Sequence, residues 1–127
     1  MSHIPEHLKF APNHEWVQLE SGNVVRVGIS DFAQAELGDI MYVTLPELGR
    51  VLNANEQCAT IESVKTASDL FSPVSGTVVQ INNAVVDEPE QINDDPYETW
   101  LFAIKAENLD ELDQLMDAEA YRQMIEQ

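Results

Sequence analysis

Residues 59–78 read ATIESVKTASDLFSPVSGTV, and the fold is decided there. Cys58, Thr60 and Glu62 alternate with Ala59, Ile61 and Ser63, the period of a strand with one buried and one wet face. SDLF reads as a second short strand, which leaves Val64 and Lys65 in the middle of the turn between them. The pattern therefore predicts a β-hairpin with Lys65 at its tip, projecting into solvent on a flexible four-carbon stem. A turn lysine is ordinarily no more than a solubilising residue. Its surroundings have to supply any further meaning.

Outward from the hairpin, strand-like runs recur between turn signals. HEWVQLE and NVVRVGIS flank Ser21-Gly22-Asn23, a hairpin pattern. Ser30 is placed to cap a short helix over Asp31–Leu37, with Gly38 as its stop. DIMYVTLP, EQCATIES, GTVVQIN and WLFAIK read as further strands. So many short strands predict a mainly β sandwich or barrel, not a parallel α/β sheet. GRVLNAN from Gly49 faintly echoes GTVVQIN from Gly76, which suits a sandwich of two similar halves. The C-terminal segment, about 108–126, is helical by pattern. Asn108 with Glu111 resembles a capping box, and Asp117 is placed to cap a second helix whose Tyr121, Met124 and Ile125 share a face. These helices are expected to pack on the sheet as a lid.

The 127 residues predict one domain, 1–127, with a hydrophobic share of 44% that is ordinary for a globular protein. Six basic residues stand against 23 acidic ones, a formal charge of −17. That balance excludes a phosphate-binding basic patch and disfavours nucleic acid and anionic membranes. It favours a soluble monomer that meets positively charged partner surfaces quickly. There is no apolar run of membrane-spanning length and no signal-peptide pattern, so a cytoplasmic protein is expected. The lone Cys58 fits, since one cysteine builds no disulfide framework.

HEWV, VGISDFAQAELGDIMYVTLPELG, ESVKTASDLFSPVSGTVVQIN and NDDPY, in that order, resemble the H protein family of the glycine cleavage system from about Phe10 to Tyr121. The resemblance implies a lipoyl-domain-like barrel-sandwich hybrid of two small sheets. It implies that Lys65, in ESVKT, carries lipoate in amide linkage as N6-lipoyl-lysine. It implies a carrier without catalysis of its own. The arm would take an aminomethyl group from a pyridoxal-phosphate glycine decarboxylase and deliver it to a tetrahydrofolate-dependent aminomethyltransferase. A flavin-containing dihydrolipoamide dehydrogenase would then reoxidise the arm.

Residue by residue, the match carries over further expectations. Such a tether requires an accessible amine, and Ser63, Thr66, Ala67 and Ser68 leave room around Lys65, while Lys9 and Lys105 are distant in sequence. Glu62 and Gly76 match positions associated with recognition by the lipoylating enzyme, although Gly76 after SPVS also suits a turn. Glu15 and Asp69, with Asn13 beside them, match the pocket that pairs with the protonated amine of the loaded arm. As plain residues, Glu15 and Asp69 could equally be solvated acids. One departure from the family stands in PYETWLF, which is one position shorter than usual and lacks a glycine before Trp100. The turn there is expected to differ.

Rival readings are weaker. An H-like protein that relays lipoate to other enzymes shares every motif. A biotinyl carrier would have Met-Lys-Met, whereas Val64 and Thr66 flank this lysine. His3 and His7 have helical i,i+4 spacing, but Pro5 and the terminal position favour a frayed arm over a metal site. VDEPEQINDDPYE lacks the spacing of a calcium loop and reads as a solvated loop. Cys58 and Ser63 have no evident histidine partner, so no nucleophile is indicated.

Overall fold

The turn at Ser21–Asn23 closes the first hairpin, because Gly22 (φ 74°) and Asn23 (φ 63°) both take the left-handed backbone that glycine and asparagine tolerate best. The computed structural model describes residues 4–126, so His3 lies outside the described residues. That hairpin joins β2 (Glu15–Leu19) to β3 (Val24–Ile29). With β1 (Lys9–Phe10), β5 (Val51–Leu52), β8 (Gly76–Ile81) and β9 (Phe102–Ala106) they form an antiparallel sheet in the order β1-β2-β3-β9-β8-β5. A second sheet, in the order β4-β6-β7, contains β4 (Ile40–Thr44), β6 (Gln57–Ser63) and β7 (Ala67–Phe71). The two echoing segments are neighbours: Leu52 of the first lies opposite Gly76 of the second.

The sheets face one another across one core, as expected of a barrel-sandwich hybrid. Val25, Val27, Val78 and Ile104 from the larger sheet meet Val43, Ile61 and Leu70 from the smaller. Each fully buried aliphatic side chain of this kind stabilises the fold by roughly 1.5–3 kcal/mol. Along β2 the side chains alternate between two clusters. Val17 joins the main core, while Trp16 joins a second cluster with Phe10, Ala118 and Tyr121 on the opposite face. There α4 (Ala118–Ile125) acts as the expected lid, with Tyr121 stacked on Phe10 at 4.4 Å between ring centres.

The predicted caps are seen in part. Ser30 Oγ accepts from Ala33 N at the start of α1 (Asp31–Leu37), and Asp117 Oδ1 accepts from Ala120 N at the start of α4. Asn108 also accepts from Asp110 N, but the segment Leu109–Gln114 is a 3-10 helix, not an α-helix. Glu111 forms no capping box either. Its carboxylate accepts from Ser75 N (2.7 Å) and Ser75 Oγ (3.0 Å) across the fold.

The acidic segment after Val86 is not a solvated loop. It follows α2 (Ala84–Asp87) and contains α3 (Gln91–Asp94), and Val85 and Ile92 are buried in the main core. Trp16 Nε1 donates to Pro96 O (2.9 Å), tying the next turn to β2. Thr99, just before Trp100 where the resemblance leads to the expectation of a glycine, is buried and donates to Gln91 O (3.2 Å). It is absent from the left-handed backbone positions, so this shorter turn does not need the freedom of glycine.

Candidate functional site: the β6–β7 turn and the cavity beside it

Residues 63–66 form the tip between β6 and β7, and Lys65 is exposed there. Ser63 organises the turn: its N–H donates to Thr66 O (2.8 Å), and its hydroxyl oxygen accepts from Lys65 N and Thr66 N (3.2 Å each). Outside the hairpin, Val64 N donates to Asp39 O (3.0 Å), and Ser63 lies opposite Ile40 of β4. The lysine stem lies over Gly38, whose missing Cβ would stand 3.3 Å from Lys65 Cε. Glu62, the last outward residue of β6 before the tip, is exposed and lies opposite Ala67 in register. Lys105 sits on the larger sheet opposite Val24 and Thr77, and Lys9 on its edge strand β1.

Beside the hairpin opens a cavity of about 440 Å³ lined by Pro12, Asn13, His14, Ala67, Ser68, Asp69 and Phe71. Asn13 and Asp69, remote in sequence, therefore share one wall system, and Asp69 is exposed at it. A more apolar recess of about 240 Å³ adjoins it, sharing Asn13, His14 and Ser68 and adding Phe32, Leu37 and Leu70 among others.

Glu15 is not a solvated acid, and it does not line the cavity. Its side chain is fully buried next to His14. Oε2 accepts from Phe71 N (3.2 Å), which joins the start of β2 to the end of β7. Oε1 meets no donor among the described residues. Burial outweighs the bonds from the backbone N–H groups of Phe71 and Glu15 and pushes this carboxyl up to about 7. The nearby buried Cys58 thiol is likewise pushed up, to about 12, chiefly by burial.

His14 holds a left-handed backbone (φ 74°), uncommon for a residue with a side chain. Its ring is pinned from outside the cavity. Tyr121 Oη lies 2.8 Å from His14 Nδ1 and 2.6 Å from Ser30 Oγ, so α4 bridges the cavity wall and the cap of α1. Burial, which favours the neutral ring, lowers the His14 pKa and outweighs the opposing charge of Glu36.

Gly76 lies apart from the tip, buried on β8 of the larger sheet. A Cβ there would collide with the Lys105 carbonyl oxygen and the Ile104 side chain. Close strand packing accounts for the glycine, and the position is a strand rather than a turn.

The profile of the family described as Glycine cleavage H-protein matches residues 8–127. The glycine cleavage system H protein of Methylococcus capsulatus is 51% identical over 127 residues, covering all of both chains. The H protein 2 of Pseudomonas aeruginosa is 48% identical over 99% of this chain and 98% of its own. The crystal structure of the H protein from Mycobacterium marinum superposes with a TM-score of 0.90 at 36% identity, covering 98% of this chain and 100% of the other.

This chain belongs to the glycine cleavage H-protein family. The role that goes with the family is lipoyl carrier of the glycine cleavage system. In this H-protein chain Lys65 stands at the hairpin tip with Glu62 just before it, Asp69 and Asn13 line the cavity beside β7, Glu15 is buried where β2 meets β7, and Gly76 lies in the other sheet. Two residues were missed by sequence reasoning. His14, which lines both recesses, gives no sequence signal beyond standing next to Glu15. Asn93, which ties Gly38 and Ile40 together, lay in the segment taken for a solvated loop.

Proposed function

We propose that this H-protein carries lipoate on Lys65 and shuttles the aminomethyl group from a pyridoxal-phosphate glycine decarboxylase to the tetrahydrofolate-dependent aminomethyltransferase. The observation that carries the reading is the exposed Lys65 amine at a hairpin tip beside a polar cavity. The site suits the group. Small side chains surround the lysine, Gly38 leaves its stem unobstructed, and the adjoining recess has the mixed polar and apolar lining that a short aliphatic arm requires.

Bound lipoate supplies a disulfide that takes up the cargo and a dithiol that dihydrolipoamide dehydrogenase reoxidises. The chain supplies presentation and shelter. Ser63 fixes the turn so that the lysine faces the lipoylating enzyme, with Glu62 exposed beside it for recognition. Asp69 and Asn13 offer oxygen acceptors to a cationic cargo, and the cavity excludes part of the surrounding water, which strengthens such a bond. Glu15, buried behind His14, adds a carboxyl whose ionisation a nearby cation would favour. The protein is a carrier without chemistry of its own, expected in the cytoplasm. Among the described residues no helix is long and apolar enough to cross a membrane.

Peptide mass mapping of natively expressed protein tests the assignment. A lipoyl group is expected on Lys65, and Lys65→Arg should abolish it with the fold intact. Modification of Lys9 or Lys105 instead would overturn it. Shelter is tested by formaldehyde and ammonia release from purified loaded protein. Loss of a partly exposed charged hydrogen bond is worth ~1 kcal/mol, so Asp69→Asn should speed release several-fold, while Glu15→Gln, which can reach the cargo only through its charge, should speed it less. Release at the wild-type rate in both would remove these acids from the pocket.

A further inference from the structure

The attachment turn is held from outside the hairpin, and the side chain at the end of that chain of contacts is Asn93 of α3. Asn93 Oδ1 accepts from Ile40 N (2.9 Å), and Asn93 Nδ2 donates to Gly38 O (2.9 Å) and to Gln34 Oε1 (3.0 Å). One amide thus brackets Asp39 from both sides, bonding the residue before it and the residue after it. Between those two anchors the Asp39 carbonyl accepts from Val64 N (3.0 Å), next to the lysine. Gly38 takes φ 79° and ψ −157°, a backbone that residues with a Cβ strongly avoid, and donates its own N–H to Gln34 O (3.0 Å). That conformation puts a bare Cα under Lys65, where a Cβ would lie 3.3 Å from Cε and 3.7 Å from Cδ.

We propose that Asn93 is a positioning residue for lipoyl attachment: by fixing Gly38–Ile40 it holds the Val64–Lys65 turn in the conformation that the lipoylating enzyme accepts. The inference rests on Lys65 being the attachment lysine. Asn93 touches neither Lys65 nor the arm and acts through the 38–40 segment. The step it serves is acyl transfer from an activated lipoyl adenylate. The neutral Nζ attacks the acyl carbon, a C–N bond forms, the acyl–phosphate bond breaks with loss of AMP, and the amine releases a proton to solvent. A turn that samples other conformations presents the competent one for only a fraction of the time. The apparent affinity for the acceptor falls by that fraction, while the rate within the correct complex is kept.

The experiment uses full-length unlipoylated protein, with wild type, Asn93→Ala, Asn93→Asp and Gly38→Ala compared by amide hydrogen exchange and by lipoyl-transfer kinetics. Losing the bracket should lower protection at Val64 and Ile40 about fivefold, the scale of one net hydrogen bond, with Ile61 in the middle of β6 unchanged. In Asn93→Ala the KM for the acceptor protein should rise by a similar factor at nearly constant kcat. Asn93→Asp keeps the acceptor for Ile40 N but opposes the Gly38 carbonyl, so it should preserve protection at Ile40 and lose it at Val64. Gly38→Ala, which leaves the Asn93 side chain in place, should reproduce the KM effect by forcing residue 38 out of its φ 79° backbone and so displacing the 38–40 segment. The proposal is overturned by wild-type exchange at Val64 in Asn93→Ala, by a kcat loss at constant KM, or by protection lost equally along β6 and β7. A wild-type protein that accepts no lipoyl group on Lys65 would sink the attachment reading instead, and Val64 exchange would still show whether Asn93 holds the turn.

Discussion

Replacing Glu15 by glutamine should make the protein relatively more stable as pH rises. In the folded state burial moves this carboxyl from 4.5 to about 7, so the native form retains a proton that the unfolded chain releases. Stability therefore falls with pH across that window. The contribution of the neutral acid is fully present below about pH 4.5, declines as pH rises, and is lost above about pH 7. That displacement of the carboxyl corresponds to about 3 kcal/mol over the whole window, most of it between pH 5 and pH 8. Other acids repel one another more at high pH as well, so the useful quantity is the difference between the two proteins. Urea denaturation of wild type and Glu15→Gln at pH 5, 6.5 and 8 isolates it. The stability difference should move in favour of glutamine by roughly 2–3 kcal/mol from pH 5 to pH 8, whatever constant offset the amide introduces. Parallel pH profiles for the two proteins would refute the argument, because they would mean that Glu15 ionises alike in the folded and unfolded chains.

Tyr121→Phe removes the hydroxyl shared by Ser30 and His14 and should cost about 1–2 kcal/mol, read as a lower urea midpoint at constant slope. Gly76→Ala should cost about 3 kcal/mol or more because the obstruction is strand backbone, giving little folded protein by circular dichroism. A normally folded Gly76→Ala protein that resists lipoylation would instead restore a recognition role to that position. With a formal charge of −17, association with basic partner surfaces should slow as salt rises, in stopped-flow measurements from low to physiological ionic strength. A flat association rate would remove electrostatic steering.

Features set by near neighbours were legible in the sequence. The β6–β7 hairpin announces itself by alternation and a short turn, and Ser30 and Asp117 cap their helices because capping depends on a residue three positions on. Glu111 has the spacing of a capping box too, yet Ser75, in the loop before β8, offers it an N–H and a hydroxyl, and that tertiary pairing prevails. Glu15 could not be told from the other 22 acids, since its burial depends on how β2 and β7 meet. The segment around α3 looks solvated because its acids are, while Ile92 and Asn93 between them turn inward on short helical turns. At the candidate site the exposed position of Lys65 at the hairpin tip was legible and its supports were not, because those come from residues 38–40 and 93.

The burial of Cys58 has a redox consequence under the proposed lipoyl attachment, which would put a cyclic disulfide on an arm of the same chain. Thiol–disulfide exchange proceeds through the thiolate, and a free surface cysteine would be a standing intramolecular competitor, able to trap the arm as a mixed disulfide. With its pKa near 12 in the folded protein, Cys58 is ionised at neutral pH to only roughly one part in 10⁵. Its sulfur is also sealed in the core between the sheets, beyond the reach of an arm that starts at a solvent-exposed tip. Under that proposal the chain contains a thiol that is redox-silent toward its own arm.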